Sequence, residues 1–118
     1  MRVAKEMLEA GECMLVFPEG TRQLGDSIGE IFDGTAWLAS KAGTPVVPVG
    51  IAGTEAAMPS GSKFLKRVPV AVAVGEVMEP PIGLEGRKPK RSDLKIWTEE
   101  LRNRLQDCQM RAREMLAE

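Results

Sequence analysis

The chain has 118 residues, 43% of them hydrophobic and 28% charged, with a formal net charge of -1. That balance belongs to a folded domain rather than a disordered segment, and the length allows one domain at most. With a near-neutral charge, three Phe and two Trp, the chain lacks the basic excess and the stacking surface of a nucleic-acid binder.

The first ten residues read as the end of a helix. Val3, Met7, Leu8 and Ala10 lie near one face, and Gly11 is a natural residue for the left-handed turn that closes a helix. No start signal precedes it, as in a chain that begins inside a longer helix. Met14 to Phe17 is a short, continuous apolar run, the form of a strand buried on both faces of a parallel sheet. Pro18 has no N–H for a ladder, so pairing should stop there.

The loop that follows, Glu19-Gly20-Thr21-Arg22, would sit at the carboxyl end of that strand, where open α/β sheets bind ligands. Its residues suit an anion. Gly20 lets the backbone approach closely, Thr21 offers a hydroxyl, and Arg22 offers a planar fork matching two phosphate oxygens. Glu19 repels phosphate, so it must hold Arg22, bind a substrate hydroxyl or brace the loop. Residues 23–34, with Gly25, Asp26, Gly29 and Gly34, are too polar and broken for regular structure.

Gly34 to Lys41 reads as a short helix with Ala36, Leu38 and Ala39 packed, Trp37 at the core or its rim, and Gly43 ending it. Val46 to Ile51 reads as a second buried strand, with Pro48 marking an edge, a bulge or a break. Gly53 to Lys66 is a loop. Within it, Phe64 and Leu65 sit among Lys63, Lys66 and Arg67. That cluster either docks on an anionic membrane surface or is a solvated tip with two residues folded inward. In Val68 to Val77, Val70, Val72 and Val74 alternate with alanines, a pattern suited to a sheet with helices near both faces.

Arg87, Lys88, Lys90 and Arg91 form a basic linker around Pro89. Ser92 can cap the next helix, with Asp93 favoured in its first turn by the helix dipole. Leu94, Trp97, Leu101, Leu105, Cys108, Ala112 and Met115 then recur at spacings of three and four, one apolar stripe on a long helix. Glu100 with Arg104, and Asp107 with Arg111, are acid-before-base pairs four apart that support it. The expected organisation is a single partial domain over 1–118, with an α/β portion in 1–85 and the helix in 92–118.

Cys13, placed in the first strand, and Cys108, on the helix face, follow no metal-ligand spacing. Without a secretory segment they suit a reducing compartment. No metal or cofactor is expected. No apolar stretch reaches the ~18 residues of a membrane span, so membrane contact by these residues would be at the surface.

Phe17-Pro18-Glu19-Gly20-Thr21-Arg22 resembles the third sequence block of the glycerolipid acyltransferases, the family that includes 1-acylglycerol-3-phosphate acyltransferase. Val46-Val47-Pro48-Val49-Gly50-Ile51 resembles its fourth block, and Phe32, Gly34 and Ala36 to Ala42 match the segment between them. The resemblance covers roughly residues 5 to 80. It implies the α/β acyltransferase fold, with mostly buried strands flanked by helices. It also implies acyl transfer from acyl-CoA or acyl carrier protein to a lysophospholipid or glycerol phosphate, at the inner face of a membrane on the cytoplasmic side. Glu19, Gly20, Thr21 and Arg22 would then bind the acceptor's phosphate and glycerol, while Phe32, Pro48, Val49 and Gly50 would be structural or line an acyl pocket. Two departures are small: Gln23 stands where a serine is common, and Asp33 where a lysine is common. A third is large. The family's catalytic block is His-x4-Asp, and this chain contains no histidine. The second block, whose arginine shares the phosphate, is also missing. The expectation is therefore the carboxyl-terminal part of such an enzyme, inactive alone. The alternatives are a non-catalytic module that binds phospholipid head groups, or an inactive gene fragment.

Overall fold

The computed structural model describes residues 2–17, 31, 33–54, 68–83 and 87–117. In chain order these form α1 (Arg2–Glu9), α2 (Gly34–Ala42), β1 (Val49–Ala52), β2 (Ala71–Val74) and α3 (Arg91–Ala117). The architecture is mixed α/β with a long last helix, as the sequence implies.

Glycine ends both short helices. After α1, Glu12 N–H donates to Met7 C=O and Gly11 N–H to Leu8 C=O, each at 3.0 Å, with Gly11 at φ 89°. That pair of bonds is the Schellman arrangement, which a residue with a Cβ adopts only with strain. Gly43, at φ 62°, ends α2 by donating its N–H to Ala39 C=O. At the start of α3 the cap is not Ser92. The Lys90 N–H donates to Asp93 Oδ2 at 2.8 Å, while Leu94 N–H reaches Lys90 C=O. Lys90 is thus the cap position, and an aspartate three residues on reaches back to it.

β1 and β2 pair antiparallel, with Val49 opposite Val74, Gly50 opposite Ala73, Ile51 opposite Val72 and Ala52 opposite Ala71. Pairing extends beyond the strands through Val46 and Met78, whose backbone groups exchange bonds of 2.9 and 2.7 Å. Pro48 interrupts the ladder as expected, since it has no N–H to contribute. Its carbonyl still accepts from Gly75 N–H at 2.8 Å, so the two chains stay aligned across the break.

Two expectations are corrected by the sheet. It is antiparallel rather than parallel, and its strands are half-buried rather than mostly buried. Alternation decides this: Gly50, Ala52, Ala71 and Ala73 face inward, where small side chains let α3 lie close, while Val49, Ile51, Val72 and Val74 point outward. Among the described residues no helix covers the valine face.

A third correction concerns residues 13–17. They pair with no strand among the described residues, and Leu15 and Phe17 are 79% and 70% exposed. An apolar run records a need for burial, but only a neighbouring chain turns it into a strand. Cys13 accordingly lies exposed rather than in a sheet. Helix α1 fully buries none of its residues, and Val3 and Met7 on its apolar side are exposed.

Among the described residues, two core clusters lie under α3. Ala52, Ala71, Ala73 and Ala112 close around Leu116, and Ile31, Met78 and Leu101 pack with Val46, Trp97 and Leu105. Trp97 also donates its indole N–H to Glu79 C=O at 2.8 Å. The stripe predicted on this helix holds through Leu101, Cys108 and Ala112, but Met115 is exposed and Leu116 takes its place. Leu116 lies four residues after Ala112, so it stays over the sheet where Met115 has rotated off it. Of the predicted ion pairs, Glu100 with Arg104 closes at 2.9 Å on the surface. The uncovered valine face and, separately, the exposed Leu15 and Phe17 are association surfaces. The purified chain should therefore self-associate, read by light scattering as mass above that of a monomer. A strictly monomeric chain with a sharp cooperative melt contradicts this.

Candidate functional site

Glu19, Gly20, Thr21 and Arg22 lie outside the described residues, and so do Phe32 and the 63–67 basic cluster. What the structure places is the chain on either side. On the near side the described chain ends at Phe17, in an exposed segment. The described chain resumes at Ile31, which is buried against Met78 and Leu101, three residues before α2.

The second group of predicted site residues is fully described. Pro48 is wholly buried, and its carbonyl accepts from the Gly75 N–H and, at 3.7 Å, from the Cys108 thiol of α3. Gly50 lies directly under the same helix. A Cβ on Gly50 would stand 2.4 Å from the Cys108 carbonyl carbon and 2.5 Å from both the Cys108 oxygen and the Gln109 nitrogen. Backbone therefore touches backbone here, which only glycine permits. Gln109 adds a bond across the same contact, its Oε1 accepting the Ile51 N–H at 3.2 Å. Pro48 and Gly50 thus form a seat for α3. Val49, between them, points to the open face of the sheet. Val47 and Ile51 of the same block are exposed as well.

The sequence gives no warning that Gly75, Cys108 and Gln109 belong to this seat. Gly75 is held less closely than Gly50, by side chains rather than backbone: a Cβ there would meet Cys108 Sγ at 2.8 Å and Pro48 Cγ at 3.0 Å. Burial pushes the Cys108 thiol above its ordinary value of 9.0, with Asp107 adding to the shift and Arg111 opposing it. Because the folded pKa is raised, the thiol's contribution to stability is complete below the unfolded value and is lost as pH rises through the folded one. At neutral pH a thiol reagent should label exposed Cys13 at once, and Cys108 only as the protein unfolds. Equal labelling rates for the two contradict the seat.

Comparison with known proteins agrees with the motifs. A family model described as Acyltransferase matches residues 1–52. A chloroplastic 1-acyl-sn-glycerol-3-phosphate acyltransferase of Brassica napus is 40% identical over 58 residues, 49% of this chain and 17% of that protein. A 1-acyl-sn-glycerol-3-phosphate acyltransferase of Chlamydomonas reinhardtii is 35% identical over 81 residues, 68% of this chain and 24% of that protein. The crystal structure of the 1-acyl-sn-glycerophosphate acyltransferase PlsC from Thermotoga maritima superimposes with a TM-score of 0.69 at 29% identity. That match covers 90% of this chain and 42% of PlsC. The chain thus spans less than half of PlsC and about a quarter or less of the curated relatives. Within that span motif, sequence and fold point the same way, and the chain belongs to the glycerolipid acyltransferase family.

Proposed function

We propose that the chain supplies the acyl-acceptor-binding part of a 1-acyl-sn-glycerol-3-phosphate acyltransferase. The reaction moves an acyl group from acyl-CoA or acyl carrier protein to a lysophospholipid or glycerol phosphate, in phospholipid biosynthesis. The observation that carries this reading is the Glu19-Gly20-Thr21-Arg22 block, which lies inside the span matched by the family model. Arg22 holds the acceptor's phosphate through two charge-assisted hydrogen bonds, Thr21 adds a hydroxyl, and Gly20 lets the ligand approach the backbone. Pro48 and Gly50 act at one remove, by fixing the sheet to α3, and Val49 contributes to whatever covers the valine face.

Transfer also needs a base to take the acceptor hydroxyl's proton as the oxygen attacks the thioester carbon. The sequence contains no histidine, so a base of the family's kind comes from outside these 118 residues. The open valine face and segment 13–17, unpaired among the described residues, suit a fold completed by further structure. No described helix is long and apolar enough to cross a membrane, and we place the protein at the membrane surface on the cytoplasmic side. The missing histidine also favours a second reading, a non-catalytic module that binds phosphorylated lipid head groups.

An acyl-transfer assay separates the two. The chain alone should give no acceptor-dependent thioester consumption, because general bases contribute typically 10²–10⁴-fold and more than a base is missing. Joined to or mixed with a family segment that carries His-x4-Asp, it should give saturable transfer to lysophosphatidate. Binding of lysophosphatidate without transfer in either setting supports the module instead.

A further inference from the structure

Among the described residues, the two-stranded sheet has no partner strand at either outer edge. The pattern of its hydrogen bonds fixes which backbone groups line those edges. Gly75 N–H donates to Pro48 C=O, so these two form a bonded pair. Bonded and non-bonded pairs alternate along an antiparallel ladder, and the register runs on through Val49 with Val74, Gly50 with Ala73 and Ile51 with Val72. Val49 and Ile51 therefore turn their N–H and C=O groups away from β2, and Val72 and Val74 turn theirs away from β1. The Gln109 side chain agrees, since it takes the Ile51 N–H from outside the pair. Val70 belongs to the same outward set. It lies level with Gly53, where an added Cβ would stand 3.3 Å from Val70 Cα and 2.5 Å from the Pro69 oxygen.

The two edges are not equivalent. Helix α3 rests its backbone on Gly50 of β1, and Gln109 already holds one donor of that edge. Two copies of the chain joined along β1 would bring those resting points one strand spacing apart, about 4.8 Å. Packed helices need about 8–10 Å between axes. Joined along β2, the resting points would be three spacings apart, about 14 Å, and both helices would fit on the alanine face. The β2 edge is also bare. Val70-Ala71-Val72-Ala73-Val74 contains no charge and no proline, which are the usual devices against strand pairing. Its valines are exposed. Above all, these five residues read the same in both directions.

We propose that β2 pairs with β2 of a second copy of this chain, antiparallel about a two-fold axis at Val72, in a four-stranded sheet of order β1–β2–β2–β1. A two-fold interface must be complementary to itself, and the palindrome meets that condition. Val72 stands opposite Val72 of the second copy, and Val70 opposite Val74. Ala71 stands opposite Ala73, on the face that carries both helices. Each valine pair is a bonded pair, so its two residues exchange two backbone hydrogen bonds. Strand addition of this kind draws its affinity from main-chain bonds and its register from the alternating side chains. The pairing does not rest on the acceptor role given to Arg22.

The test uses the whole chain with Cys13→Ser, which leaves buried Cys108 as the remaining native thiol. Single cysteines are then added, and mild oxidation is followed on non-reducing gels. Val72→Cys should cross-link to a dimer, because Cα atoms of a bonded antiparallel pair stand about 5.5 Å apart, within disulfide range. Val70→Cys and Val74→Cys should each resist cross-linking alone and cross-link when mixed, since the register sets one against the other. Ile51→Cys, exposed on the same face but on β1, should not cross-link. Two further variants act on the association itself. Val72→Pro removes an N–H that pairing with β1 does not use, and Val72→Lys sets like charges directly opposite each other. Each should raise the dimer dissociation constant at least about tenfold in sedimentation, with circular dichroism showing the fold intact. The inference is overturned if Val72→Cys does not cross-link, or does so no faster than Ile51→Cys. It is equally overturned if the folded Val72→Pro and Val72→Lys proteins associate as the parent does.

Discussion

Arg22→Ala, in a protein that carries the family's His-x4-Asp block together with this chain, is expected to lower kcat/KM for lysophosphatidate roughly ten- to two-hundred-fold. The range follows from losing charge-assisted bonds to one phosphate, at about 1.5–3 kcal/mol for a hydrogen bond to a charged group. The loss should fall on the acceptor KM and leave the acyl-donor KM nearly unchanged, because the fork touches only the phosphate. Arg22→Lys should recover part of the activity, since an ammonium keeps the charge but not the two-pronged geometry. A solvated surface arginine predicts something different, a variant like the parent in both parameters. Equal acceptor KM for parent and Arg22→Ala, with the fold intact by circular dichroism, removes the phosphate role from the loop.

The largest effect on stability should come from one methyl group. Gly50→Ala places a Cβ 2.4 to 2.5 Å from the backbone of Cys108 and Gln109, and a helix backbone cannot swing aside as a side chain can. Either α3 withdraws, losing its contacts with Ala52, Ala71 and Ala73, or β1 leaves its register with β2. Overpacking typically costs about 1–3 kcal/mol, and a clash with the backbone of two consecutive helix residues belongs at the top of that range. At roughly 4 °C per kcal/mol for a domain of this size, Tm should fall by about 10 °C. Gly75→Ala makes an instructive comparison, because its new Cβ meets the Cys108 sulfur and the Pro48 ring. Cys108→Ala should relieve Gly75→Ala substantially and Gly50→Ala hardly at all. Equal denaturation midpoints for parent and Gly50→Ala contradict direct backbone contact between strand and helix.

Helices were the most legible part of this sequence, because their signals are local. The three- and four-residue spacing from Leu94 to Ala112 needs no knowledge of the partner surface, and Gly11 and Gly43 announce the left-handed residues that end α1 and α2. Where a partner decides, the reading failed. Met14 to Phe17 has the composition of a buried strand, yet no described segment pairs with it. The valine and alanine alternation in β2 marks two faces correctly but does not say that only the alanine face is covered. Ser92 looks like a cap by type, whereas Asp93 reaches the Lys90 N–H. The acceptor motif was legible because its residue types state their chemistry. The seat of α3 on Pro48 and Gly50 was not, because it exists only once β1 and α3 are packed together.

Strand β1 also carries a reporter of how the molecule opens. The Ile51 amide hydrogen is held by the side chain of Gln109, 58 residues along the chain. Closing so wide a loop carries an entropy cost that a local turn does not, so docking of α3 belongs to a late step of folding. Solvent exchange at that amide then tracks release of the helix from the sheet. The amides of Val46 and Met78, bonded strand to strand, track separation of the two chains. Faster exchange at Ile51 than at Met78 would mark α3 as a unit that lifts off while the hairpin-like pair remains closed. Equal rates at all three would mean that sheet and helix come apart in a single event.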